Sequence, residues 1–332
     1  MFRRGAVPWA LTLLCLLAAG TPVVRAAGSG DDDDGPAARS GAAAPHRAEG
    51  YAIRLHRPMK AGQSYAWSAD STVINTLPVV PTGGATPNAA AAAPATVTDT
   101  VSVHLDATVQ ILNVDKQGQV TEMACTVQEC VARTAKERRT VVQPGRTILV
   151  EAGKWKPKLT ATSGNFTIED DVLLRSVLPL PRVEDTTDDD VYGTAKKQAV
   201  GESWNVRPDQ VLRSWAAAGY KLKAQHVSGT VKLKSAEMVD GVECLRVSGR
   251  AKIEHFLPPA LDIPQGIDIG DATTELKFTK LVPADPSKQV LQDSHSLTVH
   301  FALKKDPRAL TPEAHEGKLL RSVGVKLKLL SP

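Results

Sequence analysis

The chain has 332 residues, with 40 Lys plus Arg against 36 Asp plus Glu, 42% hydrophobic and 4% aromatic residues, and four cysteines. These figures fit one or two globular domains and exclude a wholly disordered chain, a collagen-like repeat and a disulfide-dense miniprotein. The small net charge gives no electrostatic footprint for nucleic acid.

Arg3 and Arg4 precede an apolar stretch from Ala10 to Ala19, and Val24 and Ala26 are compact residues where a signal peptidase reads. The stretch is far shorter than the roughly 20 residues that span a bilayer, so residues 1–26 read as a secretory signal peptide. Cys15 follows Leu14 inside the apolar stretch, which argues against lipidation there. Loss of Arg3, Arg4 and Arg25 leaves 37 basic against 36 acidic side chains and three cysteines. The expected compartment is the periplasm or the exterior of a bacterial cell, with no transmembrane segment after cleavage. Residues 27–50 are rich in Gly, Ala and Pro, carry Asp31 to Asp34, and read as a disordered tether.

From Tyr51 onward the dominant period is two, the spacing of half-buried strands. Tyr65, Trp67, Ala69, Ser71 and Val73 form one apolar row, and Val101, Val103, Leu105, Ala107, Val109 and Ile111 form another. Ser102, His104, Asp106, Thr108 and Gln110 lie opposite the second row, so one face is core and the other wet. The stretch 78–96 between these strands is Pro-rich and Ala-rich and reads as a hairpin insertion. Further strands are expected near 119–132, 146–151, 222–238, 242–256, 273–282, 290–304 and 319–330. Strands so much longer than the usual 5 to 6 residues belong to sheets that bend.

Two helices are expected. Thr167, Glu169 and Asp170 cap one that runs through Val172, Leu173, Leu174, Val177 and Leu178 to Pro179, and Pro208-Asp209 opens the second, through Leu212 and Trp215 to Gly219. The acidic run from Glu184 to Asp190 reads as a solvated loop. Asn165-Phe166-Thr167, though it matches a glycosylation acceptor, reads as a loop as well. The domain plan is therefore a first β half over 51–165, a helical and acidic connector over 166–219, and a second β half over 220–332.

Parity constrains the hairpins. Val231 and Leu233 must share a face with Leu245 and Val247, all odd-numbered, which favours a three-residue loop, Val239-Asp240-Gly241, over a two-residue one. The loop ending at Gly118 follows the same logic, and both glycines should have positive φ. Gly62-Gln63-Ser64-Tyr65 and Gly201-Glu202-Ser203-Trp204 precede the two hairpins, which suggests two related halves. The segment from Leu173 to Trp204, above all Val200-Gly201-Glu202-Ser203-Trp204, resembles a pattern of uncharacterised exported bacterial β-rich proteins, a domain of unknown function. The resemblance implies an envelope or secreted β protein and brings no functional residues.

No catalytic constellation emerges. Asp293-Ser294-His295-Ser296 holds triad residue types, but strand neighbours point to opposite faces. The histidines are scattered without the paired spacing of a zinc site, so no metal or other cofactor is expected. Arg133, Lys136, Arg138 and Arg139 form a short basic run, and Lys232, Lys234, Lys326 and Lys328 read as the wet face of a sheet. Cys125 and Cys130 would lie about 16 Å apart on a straight strand, too far to bridge. Cys130 and Cys244 share the opposite parity and are the candidate disulfide.

The expected fold is mainly β, with long curved antiparallel strands forming an open barrel or clam and two short helices. A cavity under those helices would be lined by Leu173, Leu174, Val177, Leu178, Leu212 and Trp215. The leading function is an exported, non-enzymatic binding or carrier protein for a lipid, another apolar ligand or an envelope component. A structural or assembly protein that binds another envelope polypeptide comes second, and an envelope-acting hydrolase third.

Overall fold

Alternating polarity becomes extended backbone wherever each strand finds a partner on both sides. The computed structural model describes residues 50–78, 96–153, 157–179, 186–217, 220–256, 269–303 and 315–329; the expected signal peptide, residues 27–49 of the expected tether and residues 79–95 of the insertion fall outside them. The strands are β1 (Ser64–Pro78), β2 (Thr96–Val114), β3 (Val120–Thr134), β4 (Arg138–Thr140), β5 (Thr147–Glu151), β6 (Lys158–Ala161), β7 (Ser203–Asn205), β8 (Val227–Val239), β9 (Val242–Phe256), β10 (Ile269–Pro283), β11 (Gln292–Leu303) and β12 (His315–Leu329). The helices are α1 (Ile168–Val177), α2 (Asp188–Tyr192) and α3 (Pro208–Ala217).

Among the described residues the twelve strands form one antiparallel sheet in the order β6-β5-β3-β2-β1-β12-β11-β10-β9-β8-β7, with β4 beside β3 and the two end strands not paired with each other. It is an open sheet, mainly β as the periodicity requires. The expected halves are not separate sheets, because β12 returns along most of β1, from Tyr65↔Leu329 to Thr76↔Lys318. Pro78 pairs with Thr96, so β1 and β2 are antiparallel neighbours, and residues 79–95 between them lie outside the described residues.

Both cores sit on one face. Tyr65, Trp67 and Ala69 of β1 join the first core with β2, β3, β5 and α1, while Val73 of the same strand joins the second with β8–β11, α2 and α3. Odd residues of one strand serve both cores, so the sheet curls around two apolar clusters rather than sandwiching one. Its edges, β6 and β7, are only four and three residues long, and short edges offer little template for unwanted pairing.

Bulges correct the parity argument. Leu233 pairs with Val247 as expected, but Val239 pairs directly with Val242, so the loop is the two-residue Asp240-Gly241 and not the three-residue one. Asp240 at φ 50° and Gly241 at φ 76° form a primed turn, and the missing residue is a bulge at Lys234 within β8. In the first hairpin Ile111 pairs with Met123, and Gly118 has φ 74°.

Gly118 and Gly241 share a conformation but not their surroundings. A Cβ on Gly118 would lie 2.6 Å from Pro58 Cβ, whereas one on Gly241 meets nothing within 4 Å. Chemical denaturation should therefore show Gly241→Ala costing about 1 kcal/mol for the left-handed backbone, and Gly118→Ala costing more because the 57–59 segment must shift. Equal losses would contradict this packing.

The two Gly-led motifs make identical contacts. Gly62 N–H donates to Ile111 O (2.8 Å) and Ile111 N–H to Gln63 O (2.9 Å); Gly201 N–H donates to Leu233 O (2.7 Å) and Leu233 N–H to Glu202 O (3.0 Å). The Gln63 and Glu202 side chains each accept from the backbone N–H three residues earlier, at Lys60 and Ala199. The paths then diverge, because β1 runs on for 15 residues while β7 stops after three and leads into α3.

α2 was not expected. Thr187 and Asp190 cap it by the same reciprocal contacts that Thr167 and Asp170 make on α1. Its purpose lies in Asp188, whose carboxylate accepts from the buried Lys280 ammonium at 2.6 Å, while Asp293, directly opposite Lys280 in the β10–β11 ladder, lies 3.1 Å from it. The acidic run is thus partly a buried clamp between α2 and the sheet.

Candidate functional site

An extended strap over residues 51–59 crosses one end of the curled sheet and ties its two cores together. Tyr51, Ile53 and Leu55 point into the second core, and Met59 packs on the first. Its polar groups are pinned at each step: Tyr51 pairs with Gln198, Leu55 N–H donates to Asp189 Oδ1 (2.6 Å), and Met59 N–H donates to Gly118 O (2.8 Å).

Arg57 is the strap's anchor. It is buried, and its guanidinium donates to Pro283 O at 2.7 Å and Asp285 O at 3.3 Å. Burial pulls it below the ordinary arginine value, against the pull of Asp189 and Asp285. The Pro283–Leu291 loop that it holds is folded by Asp285, which accepts from the Ser287 N–H (2.9 Å) and hydroxyl (2.7 Å) and is kept below the usual carboxylate range by them. Gln289 closes the outer side with a 3.2 Å bond to Pro58 O.

Between strap and loop lies an apolar groove of about 320 Å³. Met59 and Tyr65 come from the first core, Val242 from the β8–β9 hairpin tip, and Pro283, Val290 and Leu291 from the loop. Gln63, Ser287, Lys288 and Gln289 supply the polar lining. The volume falls at the lower end of small-molecule sites, which run about 300–1,000 Å³ and combine apolar walls with few polar groups.

The expected lid lining does not converge on a cavity. Leu173, Leu174, Val177 and Leu178 are buried in the first core, whereas Trp215 is buried in the second, stacked edge-on with Tyr220 and Phe256. Leu212 is only half-buried. The helices fill the curl instead of roofing it. The groove residues went unrecognised because they come from four separated segments, and only the partial exposure of Met59, Val242, Val290 and Leu291 marks them.

The Cys130–Cys244 bridge is not formed. Neither Cys130 nor Cys244 is disulfide-bonded and both are buried, as is Cys125, and β3 and β9 are separated in the sheet order by β2, β1, β12, β11 and β10. Parity places side chains on a face but says nothing of distance across the sheet. Burial pushes the Cys130 thiol up to about 12 and raises Cys244 as well, so neither is poised as a thiolate.

A second, polar bowl of about 600 Å³ lies beside β7, with Lys196, Lys197, Arg207 and Trp204 in its walls. Trp204 is committed structurally, since its indole N–H donates to Tyr192 O at 2.7 Å. Asp293 is likewise committed to Lys280, which removes the acid from the Asp293–Ser296 grouping.

No family model and no curated protein matches the chain. Among solved structures, Pseudomonas aeruginosa OpdQ aligns with 81% of this chain and 98% of its own, at 8% identity and a TM-score of 0.17. A likeness of that size carries no argument. Among the described residues no helix is long and apolar enough to cross a membrane.

Proposed function

We propose that the protein is an exported binding protein for a small apolar molecule, taken up in the groove between the strap and the Pro283–Leu291 loop. The observation that carries this is the groove's lining, where partly exposed Met59, Val242, Val290 and Leu291 leave apolar surface uncovered at the seam of two otherwise filled cores. A ligand that covers this surface gains about 0.8 kcal/mol per buried methylene. Lys288 on the rim favours an acidic head group on that ligand, though an exposed pair adds only about 0.2–1 kcal/mol.

A medium-chain carboxylate such as decanoate is a suitable probe. Calorimetric titration should give one site per chain, and Leu291→Gln should weaken it about 10-fold to 100-fold, in line with the roughly 1.5–3 kcal/mol of a buried leucine. Lys288→Gln should reduce affinity for decanoate only a few-fold and leave binding of decanol unchanged. Equal affinity in wild type and Leu291→Gln would rule the groove out.

A further inference from the structure

The wet face of the sheet carries a group of metal-ligand residues that sequence spacing did not flag. His104 and Asp106 alternate along β2 and so project from the same face, Asp70 of β1 lies directly opposite His104, and Glu129 of β3 lies directly opposite Asp106. Glu129 reaches this face because of a bulge. Asp106 pairs with Glu129 and Ala107 with Val127, so Gln128 is the extra residue, and without it Glu129 would keep the core parity of Cys125 and Val127.

The hydrogen bonds set the ring's orientation. A carboxylate can only accept, so His104 Nδ1 donates to Asp70 Oδ1 at 2.8 Å, and Nε2 faces Asp106 Oδ2 at 3.2 Å. With Asp70 on Nδ1, the neutral form of the ring, the form in which histidine ligates a metal, presents its Nε2 lone pair toward Asp106. The donor atoms of His104, Asp106 and Glu129 all lie within 4.8 Å of one another. Two ligands of a tetrahedral zinc ion, bound at about 2.0–2.1 Å, stand about 3.3 Å apart, close to the spacing found between Nε2 and Oδ2.

We infer that His104, Asp106 and Glu129 form a surface site for a divalent transition-metal ion of the zinc class, with Asp70 as the outer carboxylate that fixes the imidazole. One imidazole nitrogen and two carboxylates suit zinc and leave a position for water or a partner's ligand. Asp70 then does what outer-shell carboxylates do for metal-bound histidines, holding tautomer and ring plane. Arg138, 3.0 Å from Glu129, is the competing cation and must release that carboxylate when the ion binds.

Zinc chloride titrated into the chelator-stripped full chain by calorimetry tests this site. The expected result is one ion per chain, with affinity lost more than tenfold in His104→Ala and in Glu129→Gln, and lowered about 10-fold to 100-fold in Asp70→Asn. These side chains lie on the solvent face, so circular dichroism and the Tm of the stripped variants should match wild type. Cobalt substitution should give visible bands without thiolate charge transfer, which separates this site from Cys125, Cys130 and Cys244. Unchanged stoichiometry and affinity in His104→Ala, a thiolate band, or no binding at millimolar zinc would each overturn the assignment, the last leaving a proton as the bridging species.

Discussion

Lys280→Ala is expected to destabilise the protein by about 3–5 kcal/mol, because it leaves two carboxylates at a buried site with no cation. Lys280 is 3% exposed, Asp293 7% and Asp188 20%. The corresponding fall in Tm is of the order of 10 °C. Replacing the whole cluster, as Lys280→Met with Asp188→Asn and Asp293→Asn, should recover most of the loss, since the penalty comes from uncompensated charge and not from missing contacts. Failure of the triple variant to recover would show that packing by the lysine stem is what matters.

The same cluster sets an alkaline limit. Burial opposes the Lys280 charge, but Asp188 and Asp293 outweigh it and push the ammonium up to about 12, above its ordinary 10.5. The folded value is raised, so the stabilisation is fully present below the unfolded-state value and is lost as pH rises from there through about 12. Denaturation curves should therefore show wild type losing stability across that window while the triple variant does not.

Trp67→Ala carries the second large effect. The indole is buried under α1, and its N–H donates to Val177 O at 3.0 Å, one of the carbonyls at the helix end that no intrahelical donor reaches. Removing the ring should cost about 3–5 kcal/mol through the cavity it leaves. Trp67→Phe isolates the hydrogen bond and should cost less, about 1–3 kcal/mol for the stranded carbonyl. Hydrogen exchange should show lost protection over 168–178 in both variants, with β8 to β10 little changed. Uniform loss across both cores would mean that the two clusters do not behave as separate packing units.

The strands and their faces were legible because period two survives over rows as long as Val101 to Ile111. The capping of α1 was legible for the same local reason. What depended on distant partners was not. β12 joins β1 across the length of the chain, and nothing local to either strand states it. Asp188 looks like one more solvated acid until Lys280, 92 residues later, is placed beside it. The Asp240-Gly241 turn shows the limit well, since the parity requirement was sound but a bulge at Lys234 met it and the loop did not. The lid residues were rightly apolar, yet apolarity alone does not distinguish a filled core from a roofed cavity. The groove is assembled from Met59, Tyr65, Val242 and the Pro283–Leu291 loop, whose meeting is purely tertiary. His104-x-Asp106 on a strand was visible as a same-face pair, and Glu129 joined it only through an unforeseeable bulge.

Methyl-resolved NMR of the full chain titrated with decanoate bears most directly on where an apolar ligand would sit. Saturable shifts concentrated on the methyl groups of Met59, Val242, Val290 and Leu291, with Leu173, Leu174 and Leu178 unmoved, are the expected outcome. Shifts centred on the α1 leucines, or none at all at saturating ligand, would contradict the binding role assigned to the seam.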